Sequence, residues 1–222
     1  MATSSDLRNR TLSAMALITV GVACLFSELT TLLFLIVLAT VFCGEIAASL
    51  FKQPHNFNGS VLATVFLLFG LSGFMFAYYL RTQEYGIGSL VLIAVSVAFT
   101  DTFAYLGGRR YGTIRLAPKI SPNKTVEGVV CGIAAGAVAF VLIWLLLNTY
   151  HKTSLPPASM AVLASGIPII SVLGDLLESS AKRAFGIKDF GTVLGAHGGV
   201  ADRFDGMTVA FIAYSVVSLA IT

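Results

Sequence analysis

Seven runs of apolar residues, near 12–27, 29–51, 60–80, 86–106, 127–148, 158–178 and 204–222, decide which solvent this chain folds in. A helix that crosses a hydrocarbon core of about 30 Å needs roughly 18 or more consecutive apolar residues. Several of the runs meet that length, and the first and last are short. With 56% hydrophobic and only 11% charged residues in 222, the chain reads as one integral membrane domain, all-α, a polytopic bundle of about seven spans. The first two runs could instead form a single re-entrant hairpin around Glu28 and Thr30.

Other readings of the N-terminal half are weaker. Arg8 and Arg10 precede an apolar run as in a signal peptide, but no small-residue cleavage site follows. GVAC at 21–24 does not make a lipoprotein signal, because Gly21 stands where a large aliphatic residue is expected. Cys24, Cys43 and Cys131 lie scattered inside apolar spans without metal-ligand spacing, and are expected to be small hydrophobic fillers.

The charges orient the bundle. If the N-terminus is inside and seven spans alternate, Arg8, Arg10, Lys52, Arg109, Arg110, Arg115, Lys119, Lys124, Lys182, Arg183, Lys188 and Arg203 all fall inside. Of the 14 Lys and Arg, that leaves only Arg81 and Lys152 outside, which the positive-inside rule reads as N-in, C-out. Glu45, Asp101, Glu127, Asp175, Glu178, Asp202 and Asp205 then sit at one depth, near the inner ends of their spans. An Asp near a helix centre costs about 2.5–3.5 kcal/mol on insertion scales and less near the interface. Repeating that cost at one level suggests acids that share a cation or pair with the neighbouring Lys and Arg. Ordinary interfacial solvation remains open for Glu45 or Glu127 taken alone.

Two polar loops carry the chemistry. GGRRYGTIRLAPKISPNK, residues 107–124, has five cations and no acid, so it attracts anionic headgroups and phosphate. Pro122 predicts a turn in SPNKT, with Ser121, Lys124 and Thr125 gathered before a helix start whose exposed N–H groups suit a phosphate. The next helix carries Gly128, Gly132 and Gly136 as a small-residue ridge, used either inside the bundle or across a homodimer, with the bundle favoured.

The second loop, predicted over 179–201, overlaps the stretch KDFGTVLGAHGGVADRFDG, residues 188–206, which runs on into the last helix. Asp202 and Asp205 share one helical side, as do Asp175 and Glu178 at the end of the preceding helix. Such oxygen ligands suit Mg²⁺, which binds through a few carboxylates together with substrate phosphates. Lys182, Arg183, Lys188, His197 and Arg203 supply cations or a histidine among glycines. Acids for a metal beside cations for phosphate is the arrangement phosphoryl transfer requires. His197 between glycines either serves the site or only ties down the turn.

Ser179, Lys182-Arg183, Lys188-Asp189, His197-Gly198-Gly199 and Asp202-Arg203-Phe204-Asp205 resemble the signature of the phosphatidate cytidylyltransferases, the CDP-diacylglycerol synthases. Asp101, Leu116 to Lys119, Ser121-Pro122, Lys124-Thr125 and Glu127-Gly128 resemble that family's other shared block. Departures are Ala181, where a larger apolar residue is usual, Asn123 at a turn often held by Gly or Lys, and a chain short enough that an N-terminal helix is expected to be absent. The resemblance implies that CTP and phosphatidic acid give CDP-diacylglycerol and pyrophosphate with Mg²⁺, with a second cation as an option. It makes Asp175, Asp202 and Asp205 the metal carboxylates, joined as further candidates by Glu178 and Asp101. Lys182 and His197 complete the expected catalytic set. Ser121, Lys124, Thr125, Arg183, Lys188 and Arg203 are the expected substrate-binding set.

The implied partners are CTP, phosphatidic acid and the bilayer, with no nucleic acid; the implied location is a bacterial cytoplasmic membrane, with the active site facing the cytoplasm. The alternatives are a cytidylyltransferase or kinase acting on another lipid and, from a different class, a cation-coupled secondary transporter.

Overall fold

The computed structural model describes residues 15, 19–52, 57–150, 155–195 and 198–221. Helices dominate: α1 (Glu28–Lys52), α2 (Phe57–Thr82), α3 (Gly86–Tyr111), α4 (Val126–Thr149), α5 (Pro157–Ala184) and α6 (Asp205–Ile221). A two-stranded hairpin, β1 (Arg115–Ala117) and β2 (Ser121–Thr125), stands between α3 and α4. Helices α1 to α5 are long and apolar enough to span a bilayer, and α6 is a shorter apolar helix. The chain is a polytopic helical membrane protein. The first expected span, 12–27, lies largely outside the described residues; its helical part at 19–24 breaks in a turn at 25–27 before α1.

Three boundaries differ from the sequence reading. Helix α3 continues to Tyr111 and carries Arg109 and Arg110 in its last turn. Helix α5 runs to Ala184, so Ser179, Lys182 and Arg183 are helical and the polar loop is 185–204 rather than 179–201. Ala, Lys and Arg are good helix formers, and the Glu178–Lys182 ion pair one turn apart supports the extension. Gly186, at φ 67°, then ends the helix: its N–H reaches Arg183 O and the Ile187 N–H reaches Lys182 O, both at 3.1 Å. That is a Schellman ending, which favours glycine in the left-handed region.

The third difference is the hairpin itself. Pro122 does not make the turn; residues 118–120 do, and Pro122 lies in β2. Each strand of a two-stranded ribbon has one free edge, where a missing N–H costs no ladder bond. Arg115 pairs with Thr125 and Ala117 with Ser121, with an irregularity between them.

Lipid offers little hydrophobic drive for helix association, so close backbone approach has to supply it. The glycines of α4 all meet α3. A Cβ on Gly128 would stand 2.6 Å from Ala104 O, and one on Gly132 would stand 2.5 Å from Thr100 O. At Gly136 a third helix joins, since a Cβ there would lie 2.9 Å from Ser96 O and 3.1 Å from Pro168 of α5. Ser96 also donates to Gly136 O at 3.1 Å. The ridge is therefore used inside the bundle.

The apolar interior has two halves. One contains Leu80, Ile93, Phe140, Trp144, Ile167 and Tyr214, fastened by Trp144 Nε1 donating to Leu155 O at 3.1 Å. The other joins Phe42 and Ile46 of α1 and Phe66 of α2 to Phe185, Phe190, Val200 and Ala201 of the 185–204 loop. Phe190 stacks on Phe66, with centroids 5.7 Å apart. The three cysteines are free thiols within helical segments.

Packing at Gly132 yields a paired expectation. Gly132→Ala should lower the thermal midpoint in detergent, by the equivalent of about 1–3 kcal/mol of overpacking, because a backbone carbonyl blocks the new methyl. Gly166→Ala, with nothing within 4 Å, should be neutral or slightly stabilising. Equal midpoints for the two variants would contradict the ridge.

Candidate active site

The polar end of the bundle is organised by a second glycine contact. A Cβ on Gly174 of α5 would lie 2.8 Å from Asp205 O and 2.9 Å from Gly206 Cα, and one on Gly206 would lie 2.7 Å from Ser171 O. Helices α5 and α6 therefore touch through backbone, beside the acids of each. Asp175, Glu178 and Asp205 each bring one carboxylate oxygen within 4.8 Å of the others.

Cations surround this triad. Lys124 of the hairpin forms an ion pair with Asp175. Lys182, one turn beyond Glu178, pairs with Glu178 at 2.5 Å and with Asp202 at 3.2 Å. Ser179 Oγ donates to Asp175 Oδ1 at 3.4 Å. Asp101 of α3 stays solvent-accessible while lying close enough to Asp175, Lys124 and Arg203 to feel their charges. Of the residues singled out in the sequence, the fold thus gathers Asp101, Lys124, Asp175, Glu178, Lys182, Asp202, Arg203 and Asp205 at one end.

Asp202 touches the triad through Glu178 and also binds the loop. Its carboxylate accepts the N–H of Phe190 at 3.0 and 3.1 Å, of Gly191 at 3.4 Å and of Gly199 at 2.8 Å, besides meeting Lys182. Burial alone would raise its pKa. The Glu178 contact, the N–H groups of Gly199 and Phe190 and the Lys182 ammonium outweigh burial and hold it below the usual Asp value. Asp202 is the organiser of the loop, and Asp205 is the member of the pair that faces Asp175 and Glu178.

The hairpin is held from two sides. Arg183 donates from Nε to Ile120 O at 3.1 Å and from Nη1 to Ile187 O at 3.2 Å, bridging the hairpin turn and the loop. Thr125 is buried and caps α4, its Oγ1 accepting the Gly128 N–H at 3.2 Å. Val126 N–H goes to Ile114 O at 2.9 Å, and Glu127 accepts from Thr113 Oγ1 and the Ile114 N–H. Protein groups therefore already engage two of the first N–H groups of α4, where a phosphate was expected. Ser121 is half-buried on β2, and Lys188 is exposed on the loop. His197 lies outside the described residues.

In the sequence Glu45 was one of seven acids at a common depth, with interfacial solvation left open and no partner assigned. It is 7% exposed, and its Oε2 accepts the Ala201 N–H at 2.9 Å, so it touches the loop directly. The partner lies 156 residues away in sequence, so no local pattern pointed to it.

Chemically, the triad offers clustered hard oxygen donors, part of them accessible, with Asp175 at 30% side-chain exposure. That donor set fits a magnesium ion. Lys124, 21% exposed, stands beside it as a counter-charge for a phosphate.

Known proteins resemble the chain over much of its length. The chain is 32% identical over 180 residues to the phosphatidate cytidylyltransferase of Thermotoga maritima, covering 78% of this chain and 62% of that protein. It is 34% identical over 154 residues to that of Staphylococcus saprophyticus, covering 69% of this chain and 57% of that protein. With that of Brucella abortus the identity is 41% over 128 residues, covering 58% of this chain and 46% of that protein. The chain thus spans between 46% and 62% of the length of these curated relatives. The model of the cytidylyltransferase family matches residues 2–220, so nearly the whole chain lies within it, and the chain belongs to that family.

Proposed function

We propose that this chain transfers the cytidylyl group of CTP to phosphatidate, giving CDP-diacylglycerol and pyrophosphate with Mg²⁺, and that its polar end faces the cytoplasm. The observation that carries the reading is the Asp175, Glu178 and Asp205 cluster facing Lys124 at one end of the bundle. The names of the relatives supply the substrates. The one-sided site favours an enzyme over a carrier, whose site is expected near the bilayer midplane.

The chemistry asks little of a general base. A phosphomonoester's second pKa is about 6, so the attacking phosphatidate oxygen is already largely ionised near neutral pH. That oxygen forms a bond to the α-phosphorus of CTP while the α–β bridging P–O bond breaks, and pyrophosphate leaves with the electron pair. The barrier lies in bringing two anions together in line and accommodating charge on the leaving group. Asp175, Glu178 and Asp205 would hold Mg²⁺, which when bound neutralises charge on the triphosphate. Lys124 exchanges its pairing with Asp175 for a substrate phosphate as CTP arrives. Lys182 stays with Glu178 and Asp202 and keeps the cluster from repelling itself apart. Arg183 fixes the hairpin that carries Lys124, and Arg203, near enough for its charge to reach Asp101, adds positive charge at the approach.

Purified protein given labelled CTP, phosphatidate and Mg²⁺ should form CDP-lipid and pyrophosphate in equal amounts. Phosphorylated lipid with free CDP would mark a kinase, and absence of cytidine from lipid would refute the reading. Asp205→Asn should lower turnover by about a hundredfold or more, the scale of one lost electrostatic contact, without a comparable loss of thermal midpoint. Near-normal turnover at limiting Mg²⁺ would remove Asp205 from the site. Lys124→Ala should chiefly raise the KM for CTP or phosphatidate; unchanged kinetics would leave Lys124 without a role in substrate binding.

A further inference from the structure

The loop that precedes Asp205 is fastened to α1 by Glu45, a residue the reaction chemistry leaves unused. Glu45 lies inside an apolar helix and is 7% exposed. Its Oε2 accepts the Ala201 N–H at 2.9 Å, and the Val200 N–H also points to the carboxylate. Gly191 and Gly199 press against the same carboxylate so closely that a Cβ on either would collide with it. Two stretches of the loop, around 191 and 199–201, thus meet on one side chain.

The contact continues toward the cation-binding end. The Gly199 and Gly191 N–H groups donate to Asp202. Asp202 meets Lys182, and Lys182 meets Glu178 of the triad. Three residues beyond Asp202, Asp205 opens α6. Phe42 and Ile46, which flank Glu45 in α1, pack with Phe190, Val200 and Ala201, and a hydrogen bond buried in such apolar surroundings is stronger than one in water.

We propose that Glu45 is a positioning residue for cytidylyl transfer: its carboxylate latches the 190–201 loop to α1 and so sets the Asp202–Lys182–Glu178 chain and the start of α6. This role rests on the activity proposed above. The bond to Ala201 uses one accepting oxygen, Oε2. A glutamine retains that oxygen and an alanine does not.

The test compares Glu45→Gln and Glu45→Ala in the full chain, by hydrogen–deuterium exchange over 190–201 and by kcat and KM for CTP. Glu45→Ala should expose the loop amides to faster exchange while α4 stays protected. Its kcat should fall by about 10- to 100-fold, the usual effect of losing a supporting partner behind a metal site, with KM moving less. Glu45→Gln should restore protection and most of the turnover. Wild-type loop protection in Glu45→Ala, faster exchange with unchanged kcat, or a Gln variant as damaged as Ala would each overturn the latch. Should Glu45→Ala fail to fold, Gly199→Ala, whose methyl collides with the same carboxylate, must reproduce the loop exposure. If the wild-type chain makes no CDP-lipid, the proposed activity and the positioning role fall together, while the exchange data still judge the latch by itself.

Discussion

The backbone contact between Gly174 of α5 and Gly206 of α6 is the constraint on which the site depends. It brings Asp175, Glu178 and Asp205 within 4.8 Å of one another. Two full negative charges at that spacing repel by about 3 kcal/mol at an effective dielectric of 20. An arrangement of this kind persists only where cations offset it, and Lys124 and Lys182 are placed to do so. The two lysines come from different elements, so the site also ties the hairpin and the end of α5 to α6.

The surrounding fold keeps this geometry fixed in a medium that offers little hydrophobic drive between helices. Helices α3, α4 and α5 lock through Gly128, Gly132, Gly136 and Pro168, which steadies the hairpin and Lys124. Helices α1 and α2 grip the 185–204 loop through Phe42, Phe66 and Phe190. At the opposite end Arg81 donates to Leu25 O at 3.2 Å and lies 3.9 Å from Glu28. The long-range polar contacts at the carboxylate end are denser because the charges there have to be balanced as well as joined.

Much of this was legible in the residues. Apolar runs marked the described helices closely except at the ends of α3 and α5, which run on to Tyr111 and Ala184, because a membrane span leaves no other use for twenty apolar positions. The collected acids and cations marked the polar end, and the spacing of Gly128, Gly132 and Gly136 marked a packing face. The hairpin was missed because Pro122 reads as a turn residue and the strands are only three and five residues long. The continuation of α5 was missed because Lys182 and Arg183 look like loop charges until Glu178 is seen beneath them. Asp202 and Asp205 looked equivalent by spacing; only the fold separates the one that accepts loop N–H groups from the one that faces Asp175. Glu45 could not be assigned because its partners, Val200 and Ala201, are backbone groups with no sequence signature.

The central claim is that Asp175, Glu178 and Asp205 form one cation site. Titration of purified protein with Mn²⁺, followed by electron paramagnetic resonance and competed with Mg²⁺, addresses it without reference to turnover. The account predicts Mn²⁺ binding in the wild-type chain that Mg²⁺ displaces and that is strongly weakened in both Asp175→Asn and Asp205→Asn. Unchanged Mn²⁺ affinity in both variants would contradict it.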